Sequence, residues 1–96
     1  MLIGNVTDYI RHEKIEKSGV YKDDHIHVIM LNLPAGEELK PHISPVDAFF
    51  IVQQGEVEFM LEGEVFHLRP GDMFHFKARQ LHALKAISDF SMLIVK

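Results

Sequence analysis

Cysteine is absent from this 96-residue sequence. That removes a disulfide framework, a thiolate zinc site and a cysteine nucleophile, and it suits a reducing cytoplasm, where the chain is expected to reside. Long hydrophobic runs are missing too. The longest, Ala48-Phe49-Phe50-Ile51-Val52, is far too short to span a bilayer, so no membrane association is expected. Met1-Leu2-Ile3-Gly4-Asn5 carries neither the basic nor the long apolar region of a signal peptide. Positive charge is scarce: 10 Lys and Arg stand against 14 Asp and Glu, for a net charge of −4. Lysine and arginine nowhere form a run that would track a phosphate backbone, so nucleic acid is not an expected partner. Nucleotide-binding glycine loops, an HExxH helix motif and a GxSxG nucleophile elbow are all missing.

What is present is a globular composition, 47% hydrophobic and 25% charged, at a length that fits one domain over residues 1–96. Gly19, Pro34-Ala35-Gly36, Pro41, Pro45, Gly55, Gly63 and Pro70-Gly71 punctuate the chain. Between them lie short segments rich in Val, Ile and Phe: Ile26–Leu33, Ala48–Val52, Val57–Leu61, Val65–Leu68, Met73–Phe76 and Phe90–Val95. Strand-length β-formers between regular turn signals predict an all-β sandwich or barrel. Glu62-Gly63 supplies a tight hairpin turn. Thr7–Lys17 reads either as a helical turn or as an edge strand.

The conspicuous surplus is histidine, at positions 12, 25, 27, 42, 67, 75 and 82. Gly36, His42, Ser44 and Gly55 are spaced as in Gly-x5-His-x-His-x3-Glu/Gln-x6-Gly, the first motif of the cupins. Downstream, Leu68-Arg69-Pro70-Gly71-Asp72 followed by a β segment and His82 resembles the second motif. The two blocks, residues 34–55 and 68–82, stand in the right order with a hairpin between them. The chain thus resembles a small single-domain cupin, which implies a double-stranded β-helix, or jelly-roll barrel.

The resemblance implies a metal site whose four ligand positions are here His42, Ser44, Ala48 and His82. Ala48 cannot coordinate, and a protonated serine hydroxyl is a poor ligand for a divalent ion. Asp47 is a third candidate ligand beside His42 and His82. Strand periodicity puts residues 42, 44 and 48 on one face and 47 on the other, although Pro45 can shift that phase. His75, between Phe74 and Phe76, is expected to face outward, and His25 and His27 are expected at an exposed strand end.

The same inward phase collects Phe50 and Val52, with Phe74 and Phe76 from the second motif and Phe90 and Met92 from the last strand. An apolar cleft with a few convergent polar groups is the general form of a small-molecule site. The favoured reading is a cupin that binds a small molecule through His42, Ser44 and His82 among Phe50, Phe74, Phe76 and Met92. It holds no metal, or one weakly bound Fe, Mn, Zn or Ni. The alternatives are a metal-dependent enzyme of the dioxygenase or isomerase type, and a dimerising module without a ligand. Phe49 and Ile51, apolar on the opposite face, call for cover, and a homodimer is expected.

Overall fold

The computed structural model describes residues 1–96. Nine strands follow a short 3-10 turn at Val6–Tyr9: β1 Glu16–Lys22, β2 His27–Leu33, β3 Glu38–His42, β4 Ala48–Gln54, β5 Val57–Leu61, β6 Glu64–Leu68, β7 Met73–Phe76, β8 His82–Ala86 and β9 Phe90–Val95. They form a five-stranded sheet in the order β1-β2-β9-β4-β7 and a four-stranded sheet in the order β3-β8-β5-β6. Every pairing is antiparallel. This is the jelly-roll barrel that the ordered motifs implied. No helix is long and apolar enough to cross a membrane.

Three strands lay outside the apolar runs, each for a physical reason. β1 and β3 are edge strands, paired on one side only. They need little apolar content, and β3 tolerates Pro41 at a register shift between Leu39 and His42. β8, His-Ala-Leu-Lys-Ala, is made of weak β-formers, yet it lies between β3 and β5. Strict alternation places it there: His82, Leu84 and Ala86 are buried, with Ala83 and Lys85 turned away.

Alternation builds the core. Ala48, Phe50 and Val52 of β4 point between the sheets while Phe49 and Ile51 are half-buried on the outer side. Phe50 and Phe59 face each other across the barrel with ring centroids 5.0 Å apart. Leu31, Leu33, Val57, Leu84, Phe90 and Met92 complete the same cluster.

The turns explain why the motif glycines stand where they do. Gly55 has φ +74°, and a Cβ there would lie 1.9 Å from the Asp89 carbonyl oxygen, so no other residue fits without moving backbone. In the Pro70-Gly71-Asp72 turn, the Asp72 carboxylate accepts from the Arg69 N–H (2.8 Å). The turn is tied to β4 by Gly71 N–H to Val52 C=O and Val52 N–H to Asp72 C=O.

Both readings of the N-terminal segment hold in part. Asn5 caps the 3-10 turn through its side-chain oxygen, and strand structure begins at Glu16. Between them the chain is pinned to the outer face of the larger sheet. Asn32 donates to the Tyr9 carbonyl (2.8 Å), and His12 Nε2 meets Ser91 Oγ (2.8 Å), whose hydroxyl donates to Asn32. Two polar residues with no exposure at all, Asn32 and Ser91, are thereby satisfied.

Candidate functional site

At one end of the barrel the sheets enclose a cavity of about 150 Å³. Its closed end is aromatic, made by Phe50, Phe59 and Phe76, which are 0%, 0% and 6% exposed. Leu31, Met92 and Ile94 line the wall from the larger sheet, and Leu39 and Leu84 from the smaller. His42, Lys17 and Lys96, all exposed, stand at the mouth.

All four positions of the cupin ligand set border this cavity: His42, Ser44, Ala48 and His82. The two histidines are cross-strand partners on β3 and β8, with ring centroids 4.2 Å apart. His42 Nδ1 lies 2.8 Å from the Lys40 carbonyl, and His82 Nδ1 lies 3.0 Å from the Gln80 carbonyl. A carbonyl only accepts, so in both rings Nδ1 carries the hydrogen and Nε2 is the free nitrogen. His82 is buried and flanked by Phe76 at 4.4 Å. Burial holds its pKa below the ordinary 6.5, and the neighbouring charges of His42, Lys17 and Lys96 push the same way, against the opposing pull of the Gln80 carbonyl. His82 is therefore a neutral imidazole at neutral pH.

Ser44 borders the cavity, but its hydroxyl serves its own turn. It donates to the Val46 carbonyl (2.9 Å) and accepts from the Val46 N–H (3.3 Å). Two further expectations need correcting. Asp47 does not join the histidines: it lies outside the cavity lining, and its carboxylate accepts from the Ala78 N–H at 2.8 Å. Parity thus prevails over the freedom that Pro45 offered. Phe74 does not border the cavity either. It pairs with Phe50 rather than with Ala48, one row deeper, and packs on Phe50, Phe59 and Phe66 at 5.5, 4.9 and 5.0 Å. Phe50, Phe76 and Met92 do line the cavity. His75 is exposed, and His25 lies in the turn before β2, exposed.

Sequence reasoning missed Lys17, Lys96 and Phe59. Lys96 shares the inward parity of Met92 and Ile94, so the register of the last strand was enough to find it. Lys17 faces inward because it pairs with Leu31 across the β1–β2 ladder, a register that the local sequence does not reveal.

A divalent metal of the kind found in cupins does not fit this donor set. No three His, Asp or Glu side chains converge anywhere, and the cavity is bordered by two histidines and two lysines but by no Asp or Glu side chain. Catalytic zinc ordinarily takes three protein ligands, and non-haem iron two histidines with a carboxylate.

A two-sheet jelly roll with paired motif histidines at one end defines a cupin-type barrel. The chain belongs to the cupin family: the cupin domain matches residues 29–96. An RmlC-like cupin protein from Desulfovibrio desulfuricans is similar at 20% identity, covering 99% of this chain and 94% of that one with a TM-score of 0.87. A conserved protein with a double-stranded β-helix domain from Klebsiella pneumoniae shares 26% identity over 99% and 88% of the two chains (TM-score 0.85). A mutant salicylate 1,2-dioxygenase from Pseudoaminobacter salicylatoxidans shares 24% identity, covering 73% of this chain and 20% of that one (TM-score 0.71). No curated protein matches the sequence.

Proposed function

We propose that this cupin binds a small molecule in its barrel cavity and does so without a metal ion. The observation that carries the reading is the lining itself. The ligand positions of the family border one aromatic-floored cavity, yet they supply only two nitrogen donors, at His42 and His82, and no acid. Retaining both imidazoles at the mouth of an apolar cavity gives a binder its orienting polar groups. An enzyme that uses a divalent ion as Lewis acid would need further donors. The test is metal analysis of protein purified without an affinity tag, followed by zinc titration. Substoichiometric metal and no tight zinc binding are expected. Stoichiometric metal that disappears in His82→Ala would overturn the reading in favour of a metalloenzyme.

We also propose a homodimer formed through the outer face of the five-stranded sheet. There Leu93, Ile51 and Met73 align in one cross-strand row, and Val28, Val95 and Phe49 in the next, beside the part of the face that the N-terminal segment covers over the fully buried Met30. The outer face of the smaller sheet is charged instead, with Glu38, Lys85, Glu58 and His67 in register. Sedimentation should show a dimer at micromolar concentration that Ile51→Lys converts to monomer; a wild-type monomer would refute it.

A further inference from the structure

We infer that the cavity takes an anion: a ring-sized apolar body bearing a carboxylate, with the ring at the aromatic end and the carboxylate at the mouth. The inference rests on the small-molecule reading above and specifies its ligand class. Two charged side chains border the cavity, Lys17 and Lys96, and both are cationic. With 14 acidic residues among 96, a random lining of 16 would carry about two; this one carries none. The lysines are not neutralised by neighbours either. The ion pairs of the molecule are Arg11 with Glu16 and His67 with Glu56, so neither ammonium has a carboxylate within salt-bridge reach. Two unpaired cations at one opening, on a protein whose net charge is −4, set a local field opposite to that of the whole molecule, and such a field draws in anions.

Depth fixes the orientation. The fully buried Phe50 and Phe59 are at the far end, while Lys17, Lys96 and His42 are exposed. The Nε2 atoms of His42 and His82 lie on the same rim, where each donates to a carboxylate only when its ring is protonated. Size sets the body, because a cavity of about 150 Å³ is the volume class that holds one benzene ring.

Three probes with a common ring separate charge from shape: benzoate, benzyl alcohol and benzylamine, each titrated into the full chain and followed by backbone amide shifts. Benzoate is expected to bind at least about tenfold more tightly than benzyl alcohol, and benzylamine not measurably. The double variant Lys17→Met, Lys96→Met changes two exposed side chains and leaves the barrel interior intact. It should erase the preference for benzoate over benzyl alcohol. Raising ionic strength should narrow the preference in the wild type and leave the variant unmoved. Equal binding of benzoate and benzyl alcohol by the wild type would overturn the anion inference while leaving the cavity a binding site. Binding of none of the three at Ala48, Phe50 and His82 would overturn both.

Discussion

Filling the cavity should make the protein more stable and end its binding, and Ala48→Leu is the substitution that does so. Ala48 points between the sheets, is 3% exposed and borders the cavity. Leucine adds three carbons, half of what a benzene-sized space accepts. At about 0.8 kcal/mol per buried methylene, full burial contributes about 2.4 kcal/mol. Fixing the new side chain costs roughly 0.5–1 kcal/mol, leaving about 1.5 kcal/mol. In a domain of this size that raises Tm by about 6–12 °C, and the urea midpoint should rise with an unchanged m-value. The gain would exist because the wild type keeps unfilled a volume that a core selected for stability alone would close. Benzoate should no longer shift the amides of Phe50 and His82. Destabilisation by more than about 1 kcal/mol, the signature of overpacking, would show that the space does not extend to Ala48. Stabilisation with benzoate binding intact would place the ligand elsewhere.

Other perturbations report on the same geometry. His82 has its folded pKa below 6.5, so between that value and 6.5 the unfolded chain binds more protons and stability must fall as pH drops below about 6.5. A His82 titration by NMR should show the lowered pKa, and His82→Gln should flatten that part of the urea-midpoint profile; a pKa at or above 6.5 contradicts the burial argument. Gly55→Ala, forced to φ +74° against the Asp89 carbonyl, should cost about 3 kcal/mol or fail to fold. A wild-type-like denaturation midpoint would show that this turn moves freely. Restoring the vacated ligand positions, with Ser44→His and Ala48→Glu together, should create a tight zinc site measurable by calorimetry, because all four positions already border one cavity. Failure of the double variant to bind zinc would mean that the four positions do not converge closely enough.

The motif turns were legible because each is a local backbone demand. The positive φ of Gly55 and the Asp72 carboxylate that receives the N–H three residues before it are demands of the turns themselves, whereas the Asp89 carbonyl against Gly55 is a tertiary contact that spacing does not display. His42 and His82 were placed by the same two motifs. Period-2 reasoning then separated Asp47 from the cavity and His75 from the core. It could not tell that Phe74 sits one row too deep, because inward parity says which face a side chain takes and not how far along the barrel it lies. Two of the four edge strands were the other blind spot. β1 and β3 are polar, which an edge position permits, whereas the edge strands β6 and β7 carry the apolar runs that revealed them. The cationic mouth depends on β1. A site formed between a motif strand and an edge strand is visible only once the ladder register is known.

The sign of the pH dependence separates the two chemistries that a histidine pair can serve. A metal competes with protons for Nε2, so its affinity falls as pH drops through about 6.5. A carboxylate does the opposite. It favours the protonated imidazole, whose Nε2–H donates to it, so binding takes up a proton and tightens as pH falls while the carboxylate remains ionised. The groups that face this equilibrium are few: His42 from β3, His82 from β8, Lys17 from β1 and Lys96 beyond β9, while β2, β4, β5 and β7 contribute only apolar side chains to the lining. Burial keeps His82 neutral at neutral pH, so a carboxylate that favours its protonated form supplies a slope. Benzoate affinity measured between pH 7.5 and 5.5 should therefore rise as pH falls in the wild type and lose that slope in His82→Gln. A benzoate affinity that falls with pH over the same interval would mean that the imidazoles meet the ligand as acceptors, and the carboxylate would then have to lie elsewhere.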